Sequence, residues 1–301
     1  MCKEKNNPLV SVVIPTYKRS EMLPRAIASV LEQTYKNVQV VVVDDNNPDT
    51  EWRTATAKMM EQYAHDARVK YVCHEKNMNG SVARNTGIQS ADGDIVCFLD
   101  DDDWFLPTKI EKQVQYLVDH PEHHAVYCGW RRKNSDFLNG KEGNLSFEIL
   151  SGSQLIYTNV IMMWRRDALE CGGWDVTFKR HQEAAFMLRY FRTGATIGFV
   201  PEVLVEFDVS DRGNAEGNPE RFEELTLFYL NSYPDMIDAC EKARKGAKKD
   251  IWSYRTRSIF LSYVKYKKYK GAMRVYWRAV KKMPLKFNAD LIRYALKRLG
   301  K

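Results

Sequence analysis

The sequence predicts an α/β protein with a mostly parallel, doubly wound sheet, and three observations support this fold class. Short apolar runs of strand length recur through the first half of the chain, at residues 10–14, 38–43, 69–72 and 95–99. Segments with helical spacing of apolar residues separate these runs, as at residues 21–33 and 81–89. The strands end in polar or acidic turns. Since parallel strands need long crossover connections, this alternation indicates repeated strand–helix–strand units.

Composition is that of an ordinary globular protein. Apolar residues make up 44% and charged residues 28% of the 301 positions, which allows a proper core in one or two domains. No apolar run reaches the length of about 18 residues that a spanning helix needs. The start lacks a signal segment, and the six cysteines form no C-x-x-C pair, which argues against structural zinc. We expect a reduced, cytoplasmic protein.

Charge is distributed unevenly along the chain. Residues 240–301 hold 20 Lys and Arg against 3 Asp and Glu, so this region carries +17 and the remainder carries −10. Helical patterns continue from Glu220 to the end, beyond a polar, Gly-containing loop at 208–219. We therefore expect a catalytic domain at 1–215, with halves at 1–105 and 106–215. A basic helical region follows at 216–301.

The central feature of the first half is the segment Gly93–Trp104, with the sequence GDIVCFLDDDDW. Its apolar run resembles a buried strand, and the four acids Asp100 to Asp103 follow at once. Adjacent carboxylates repel each other unless a cation or solvent compensates them. Mg²⁺ and Mn²⁺ prefer oxygen ligands and commonly bind one or two carboxylates together with substrate phosphates. The segment indicates a metal–diphosphate site, although a solvated acidic loop is the simpler reading of four acids alone.

Two other strands also end in polar turns. Pro15, Thr16 and Tyr17 follow the first strand, and Asp44 with Asp45 ends the second. Because the carboxyl ends of parallel strands share one edge of a sheet, these turns should meet the acid cluster in one crevice. No G-x-G-x-x-G or P-loop motif occurs in the first half. An aromatic ring, acceptor carboxylates and a cation site would instead suit a nucleoside diphosphate.

Four segments, in this order and at this spacing, resemble the family 2 glycosyltransferases of GT-A fold. They are VSVVIPTYKR (10–19), VVVDDNNPDT (41–50), NMNGSVARNTGI (77–88) and DIVCFLDDDDW (94–104). The similarity extends through residue 210. It implies a metal-dependent, inverting transferase of the hexosyltransferase type, which takes a nucleotide sugar such as a UDP-sugar and acts in polysaccharide synthesis.

The resemblance also implies roles for individual residues. Pro15, Tyr17 and Asp45 would form the nucleobase site, with Asp45 accepting a hydrogen bond from the base and Asp44 supporting that turn. Arg84 would lie near the base or the diphosphate. The acids match the D-x-D motif: Asp102 would be the most direct ligand of Mn²⁺ or Mg²⁺, assisted by Asp100, and Asp100 and Asp101 would face the ribose and the water shell. Asp103 receives no role.

The second half supplies the acceptor side. The segment 172–194, GGWDVTFKRHQEAAFMLRYFRTG, is similar to the family's segment that carries the general base, and Glu183 occupies that place. The sequence departs from many relatives, which have Asp where Glu183 stands and Glu where Gln182 stands. A first-turn helix acid favoured by the helix dipole is the alternative for Glu183. For Trp174, core packing and an acceptor wall remain equally open.

Two further regions carry open alternatives. Residues 251–301 interleave cations with aromatic residues, which is typical of a helix on an anionic membrane surface. The enzyme would then be peripheral on the inner face of a membrane, with a lipid-linked saccharide as acceptor. A helical bundle with a solvated basic face is the alternative, and no nucleic-acid module is present. For the loop residues Asp208, Asp211 and Arg212, a lid over the diphosphate competes with a solvated linker.

Two rival functions are also compatible with the sequence. A sugar nucleotidylyltransferase would need a Gly-rich basic loop after the first strand, and the segment Pro15 to Arg19 contains no glycine. A catalytically dead, membrane-associated protein that binds nucleotide sugars is the non-enzyme rival. The basic region favours this rival, as does the presence of Glu183 where many relatives have Asp.

Overall fold

The computed structural model describes residues 7–209 and 217–298. Within these ranges, contacts between residues divide the chain into two compact units. The first unit holds the described residues up to 145 together with 156–209, and it contains the whole sheet. The second holds 146–155 together with 217–298, and its regular structure is helical.

The described residues form nine strands in a single sheet. The strands are β1 (Val10–Thr16), β2 (Val38–Asp44), β3 (Val69–Cys73), β4 (Ile95–Phe98), β5 (Trp104–Phe105), β6 (Ala125–Arg132), β7 (Ser135–Phe137), β8 (Met162–Trp164) and β9 (Ile197–Phe207). Their order is 3-2-1-4-8-6-9-5, and β7 pairs with β6. Strands β1 to β4 run parallel, β8 is antiparallel to both β4 and β6, and β6 and β9 are parallel. The predicted α/β class is confirmed.

Helices flank this sheet and build the second unit. Those described are α1 (Leu23–Leu31), α2 (Glu51–Met60), α3 (Gly80–Ser90), α4 (Lys109–Asp119), α5 (Ser146–Ser151), α6 (Arg165–Glu170), α7 (Gln182–Arg192), α8 (Pro219–Asn231), α9 (Pro234–Ala243), α10 (Ala247–Lys265), α11 (Tyr269–Lys282) and α12 (Pro284–Arg298). Short 3₁₀ turns occur at Glu61–Tyr63 and Thr158–Val160. The helices α5 and α8 to α12 belong to the second unit.

The core of the first unit lies around the central strands. β2 is buried along its whole length, and β4 likewise. Helix α1 buries Leu23, Ala26, Ile27 and Val30, which lie on one face at helical spacing. Strands covered on both faces read as continuous apolar runs, which explains why the sequence identified them clearly.

One predicted pair of strands is a single strand. The sequence separates residues 197–200 from 203–207 at Pro201, but β9 continues through Pro201 because a bulge absorbs it. Cys128 pairs with Val200 and Gly129 with Val203, so the two residues between have no partner in β6. Gly129 is required at this bulge, since a Cβ there would lie 2.7 Å from the Glu202 carbonyl oxygen.

Residues 146–155, which the sequence analysis assigned to the acceptor half, group with the helical unit instead. Arg255 of α10 donates from Nη2 to the Ile149 carbonyl at 2.6 Å and from Nε to the Leu150 carbonyl at 2.7 Å. These bonds join residues more than a hundred positions apart, so no local pattern reveals them. Within the described ranges, no helix combines the length and the apolar character needed to cross a bilayer.

Candidate active site

The polar ends of β1, β2 and β4 meet at one edge of the sheet, as predicted. Asp44 ends β2, and the Asp45 N–H donates to the Thr16 carbonyl at the end of β1, at 2.9 Å. The Thr16 hydroxyl donates to Oδ2 of Asp101 at 2.8 Å, which joins β1 to the loop after β4. These strands are neighbours and run parallel, so their ends converge.

Asp44 is fully buried, and both of its carboxylate oxygens are occupied. Oδ1 accepts hydrogen bonds from the backbone N–H and the side-chain amide of Asn46, at 2.9 and 2.8 Å. Oδ2 accepts from the Tyr71 hydroxyl at 2.5 Å and pairs with Nε of Arg53 at 3.1 Å. This geometry favours support of the turn over direct contact with a nucleotide.

Asp45 organises the loop that leads into α3. Its Oδ1 accepts from the Met78 N–H at 2.7 Å and pairs with Nδ1 of His74 at 2.7 Å. Its Oδ2 accepts from the side-chain amide of Asn77 at 2.8 Å and from the Asn79 N–H at 3.0 Å. With four partners, the carboxylate must release or share one of them to bind a nucleobase.

Two acids of the cluster, Asp101 and Asp103, are buried and hold the local structure together. Asn159 donates from its side-chain amide to Oδ2 of Asp103, and the Asp208 N–H donates to Oδ1 at 2.7 Å. Burial is the main cause that raises the pKa of Asp101 to about 7 and that of Asp103 to about 8. The sequence assigned no role to Asp103, and the structure shows it connecting this loop to the end of β9.

The other two acids, Asp100 and Asp102, are partly exposed, with side-chain accessibilities of 33% and 20%. Asp100 Oδ1 accepts from Nη2 of Arg84 at 2.6 Å, and Asp102 Oδ2 accepts from Nη1 of Arg19 at 2.8 Å. Their remaining oxygens have no hydrogen-bond partner among the described residues. These two oxygens can therefore accept bonds from a ligand. The pKa of Asp102 is raised, mainly by burial and also by the charge of Asp100.

Arg84 brings the acid cluster together with the start of α7. Besides its bond to Asp100, its Nη1 donates to Oε1 of Gln182 at 3.2 Å. Its guanidinium lies 4.9 Å from the centre of the Trp174 ring. Gln182 directly precedes Glu183, so the candidate general base lies one residue from a side chain that Arg84 joins to the acid cluster. Sequence distance separates these groups, and the fold brings them together.

Glu183 lies in the first turn of α7, after His181, whose backbone is left-handed with φ of 60°. Burial is the largest influence on its carboxyl group and raises the pKa. Arg84 and Arg180 lower that pKa, and the charge of Asp100 raises it. A carboxylate in this setting is an acid–base group with an elevated pKa, which is typical of a general base.

Trp174 is a core residue, which decides between the two readings that the sequence left open. It is 1% exposed, stacks on Phe186 with ring centres 4.4 Å apart, and meets the ring of Phe98 edge-on at 5.1 Å. The Asn85 side chain bonds both its N–H and its carbonyl, at 2.7 and 2.8 Å. Trp174 therefore packs in the core against Arg84 and does not form an acceptor wall.

Exposed aromatic rings lie near the ends of the first two strands. Pro15 is within β1, opposite Val43, and Tyr17 beyond it is 41% exposed. Trp52 of α2 is 36% exposed. The Lys18 ammonium lies 5.1 Å from the Tyr17 ring centre and 4.0 Å from that of Trp52. Two rings therefore share one lysine here, where the sequence analysis had considered Tyr17 alone.

The profile described as glycosyl transferase family 2 matches residues 11–192, which include every predicted site residue. The chain belongs to this family. It is a glycosyltransferase, as the resemblance implied, and this supports the leading interpretation over the nucleotidylyltransferase.

Similar proteins agree with this assignment. The amylovoran biosynthesis glycosyltransferase AmsB of Erwinia amylovora is 27% identical over 266 residues, 84% of either chain. The mannosyltransferase PcManGT of Pyrobaculum calidifontis, solved with GDP-Man and Mn²⁺, has a TM-score of 0.64 at 18% identity, covering 98% of this chain and 81% of that one. Residues 1–349 of S. aureus TarS with UDP-GlcNAc have a TM-score of 0.61 at 16% identity, covering 85% and 73%. The GT-A fold is confirmed.

The acid cluster of this family 2 enzyme suits a divalent cation that also binds substrate. Among the described residues, no three His, Cys, Asp or Glu side chains form a ready-made metal cage. Mg²⁺ and similar ions take one or two carboxylates and complete their shell with water and phosphate. Asp100 and Asp102 offer two carboxylates, each with an oxygen that has no partner within the described ranges. This donor set fits such a cation.

Two further residues of the candidate site were not predicted from the sequence. His74 lies between Asp45 and Thr86, whose hydroxyl is 2.9 Å from Nε2, and Asn159 connects Asp103 to the Asp100 N–H at 2.9 Å. His74 directly follows β3, and this position at a strand end could have indicated a site residue. Nothing in the sequence indicates Asn159, because its partners are more than fifty residues away.

The loop after β9 is described only in part. The Asp208 carboxylate pairs with Nη2 of Arg25 at 2.5 Å, and Arg25 also donates to the Asp102 carbonyl at 2.5 Å. Asp208 is therefore joined to the acid cluster through both its backbone and its side chain. Asp211 and Arg212, which the sequence analysis considered for a lid, lie outside the described residues.

Proposed function

We propose that the protein transfers a sugar from a nucleoside diphosphate to a saccharide acceptor, with inversion at the anomeric carbon. UDP is the nucleoside diphosphate that we propose first. The observation that carries this proposal is the double contact of Arg84 with Asp100 and Gln182. Because Gln182 directly precedes Glu183, these bonds support a site in which the diphosphate would bind at the acid cluster and Glu183 would lie nearby. The solved neighbours bound to GDP-Man and UDP-GlcNAc support a nucleotide-sugar donor.

The nucleobase would bind beside Tyr17 and Trp52. Either exposed ring can stack on a base, and Pro15 limits the site at the end of β1. Asp45 would accept the N–H of a uracil-type base by exchanging a bond that it now receives from a side chain such as Asn77. This exchange preserves the hydrogen bonds to the loop backbone, so Asp44 can keep the turn in place.

The diphosphate would bind at the acid cluster. Asp102, with Asp100, would hold Mn²⁺ or Mg²⁺, which supplies positive charge that stabilises the departing diphosphate. Asp100 would also face the ribose. Asp101 is buried, so it would act by orienting Thr16 and Arg19, whose Nη1 lies 3.3 Å from its Oδ1.

Glu183 would act as the general base. The acceptor hydroxyl donates a hydrogen bond to the carboxylate and loses its proton to it as the oxygen attacks the anomeric carbon. The new C–O bond forms while the bond from that carbon to the diphosphate oxygen breaks, and the electron pair leaves with the diphosphate. One displacement without a covalent enzyme intermediate gives inversion. The raised pKa of Glu183 makes proton acceptance more favourable than for an exposed glutamate.

A donor screen tests this proposal. We expect UDP-sugars to raise the melting temperature more than GDP-sugars do, and to do so more strongly with Mn²⁺ present. Trp52→Ala should weaken UDP binding. Phe137→Ala, which removes a similarly exposed ring from β7, is the matched control and should bind UDP as the wild type does. Equal stabilisation by all nucleotides, or none, would contradict the donor assignment.

We propose further that the helical unit lies on an anionic membrane, where a lipid-linked saccharide would be the acceptor. Exposed apolar side chains occupy one face of each of the last two helices: Tyr269, Met273 and Trp277 on α11, and Leu285, Ile292 and Leu296 on α12. In α11 the opposite face is buried through Ala272, Val275 and Ala279. Three lysines of α11, at positions 270, 281 and 282, supply positive charge. Exposed apolar and aromatic side chains with flanking cations are typical of interfacial helices.

Sedimentation with vesicles tests the membrane proposal. The wild type should bind vesicles rich in phosphatidylglycerol, more weakly at high salt, and should not bind pure phosphatidylcholine. Trp277→Glu should lower the bound fraction, whereas Phe137→Glu, in the first unit, should not. Wild-type binding by the Trp277 variant would favour the solvated bundle.

A further inference from the structure

The helical unit contains a cavity of about 650 Å³ that none of the transfer chemistry uses. Its walls are the start of the turn after α5, one face of α10 and one face of α12. The cationic side chains in the lining are Arg257, Arg293 and Lys297, and the acid among the described lining residues is Asp290. The cavity is therefore net positive.

Arg257 is the unusual member of this lining. Its guanidinium lies between two tyrosine rings, 5.0 Å from the centre of Tyr254 and 5.1 Å from that of Tyr294. Its Nε is buried and has no hydrogen-bond partner, and no carboxylate pairs with this guanidinium anywhere in residues 7–209 or 217–298. A guanidinium carries five N–H donors, and leaving the buried Nε–H of Arg257 unmatched is costly.

The acid in the lining does not meet this need. Asp290 is 1% exposed and accepts from the Ser253 hydroxyl at 2.6 Å. It also pairs with Lys286 at 3.2 Å and with Arg293 at 3.4 Å. The charge of Asp290 is thus already balanced by Lys286 and Arg293, and none of the described carboxylates pairs with Arg257.

The remaining wall is preorganised. Gly152 has a positive φ of 76°, and a Cβ there would lie 2.9 Å from Nη1 of Arg255, the residue that fixes the carbonyls of α5. The Ser151 hydroxyl donates to the Glu148 carbonyl at 3.1 Å, and its oxygen lies 3.0 Å from Oγ of Ser153. The Ser153 hydroxyl can therefore bond to Ser151 or rotate to donate to a ligand in the cavity.

We propose that this cavity binds a phosphate monoester, with Arg257 as the principal ligand of the anion and Lys297 and Ser153 as supporting donors. The planar guanidinium matches two phosphate oxygens at once, and the two tyrosine rings keep it in one orientation. The volume exceeds that of a phosphate, so the rings would also pack against the group that carries it. Either a soluble sugar phosphate or the headgroup of an anionic lipid presents this chemistry. The site does not depend on the proposed transfer reaction.

Two probes and a matched pair of variants test the site on the full chain. Calorimetry with a hexose 1-phosphate examines the soluble source, and sedimentation with phosphatidate vesicles, compared with phosphatidylglycerol, examines the lipid source. We expect Arg257→Gln to weaken the binding of at least one probe by about tenfold or more. Arg221→Gln makes the same charge change at an arginine of α8 that pairs with Glu224, and it should bind as the wild type does.

Lys297→Gln guards against loss of the fold, because Lys297 is exposed. It should weaken the same probe by a smaller factor while leaving the circular dichroism spectrum unchanged. Binding of the soluble probe assigns a free phosphate ester, and binding of phosphatidate alone assigns a headgroup; both support the site. The proposal is overturned if neither probe binds, or if the folded Arg257 and Arg221 variants bind equally. It is also overturned if Arg257→Gln unfolds and Lys297→Gln binds like the wild type.

Discussion

Asp45 and Asp102 both follow buried strands at the same edge of the sheet, yet they are held very differently. Asp45 has four partners, two of them backbone N–H groups, and is 3% exposed. Asp102 is partly exposed, and among the described residues its side chain bonds to Arg19. The first carboxylate builds a loop, and the second retains capacity for a ligand. Acids that follow different strands at one edge of a sheet can therefore serve opposite purposes.

The same contrast divides the acid cluster itself. Asp101 and Asp103 are buried and bonded to Thr16, Asn159 and the backbone of Asp208. Asp100 and Asp102 keep oxygens without partners in the described residues. Substitution of the buried pair should therefore reduce stability, whereas substitution of the exposed pair should reduce activity. Single substitutions in each pair of acids test this contrast.

The largest effect is expected for Asp102→Asn. Loss of a metal-binding carboxylate should lower the rate of sugar transfer by about a hundredfold or more, equivalent to about 2.7 kcal/mol. The free energy of unfolding should change little, since repulsion from Asp100 is relieved as the Arg19 ion pair is lost. Transfer kinetics at several Mn²⁺ concentrations and urea unfolding provide the two measurements.

Asp103→Asn is the matched control, with the same change one position later. The new amide would face the Asn159 amide, leaving a buried donor unpaired at a cost of about 1–3 kcal/mol of unfolding free energy. Its transfer rate, measured where the protein is folded, should stay within tenfold of the wild type. Equal losses of activity in the two variants would remove the distinction between the two pairs of acids.

Asp45→Asn should chiefly destabilise the protein. An amide presents one oxygen where the carboxylate accepts from the Met78 and Asn79 backbones, and its NH₂ group meets a donor. We expect a loss of about 1–3 kcal/mol in urea unfolding. Faster amide exchange at residues 77–79 would localise the effect to this loop. Full stability with unchanged exchange would show that Asp45 does not hold the loop.

The pH profile should show a smaller and more gradual effect. Glu183 accepts a proton only when ionised, and burial raises its pKa, with Asp100 acting in the same direction and Arg84 and Arg180 opposing. Transfer should therefore increase with pH through a value above that of an ordinary glutamate, and fall as the pH drops below it. Residual transfer by Glu183→Gln should lack this transition. A transfer rate that falls only at the pH where an ordinary glutamate titrates would argue against Glu183 as the base.

Much of this fold could be predicted from sequence because its strongest signals are local. Buried strands such as β2 read as continuous apolar runs, and the amphipathic spacing of α1 is visible directly. The bulge at Pro201 could not be predicted, because proline normally interrupts a strand and the compensating register shift depends on Gly129 in β6.

The candidate site shows the same limit. Acids that follow a strand are visible in the sequence, but whether the oxygens of each carboxylate already have hydrogen-bond partners depends on distant residues. Asn159 bonds to Asp103 and His74 bonds to Asp45, and no sequence periodicity indicates either pair. The sequence therefore predicted which acids meet at this edge of the sheet, and the long-range hydrogen bonds distinguish the buried acids from the partly exposed ones.

The most direct test measures UDP affinity and transfer rate together in Glu183→Gln. Glu51→Gln is the control, because it removes a first-turn acid from α2. If the strand-end acids hold the donor while Glu183 accepts the proton, the Glu183 variant should bind UDP with Mn²⁺ as the wild type does and lose about a hundredfold or more of its transfer rate. Transfer within tenfold of the wild type by the folded variant would show that another group takes the proton.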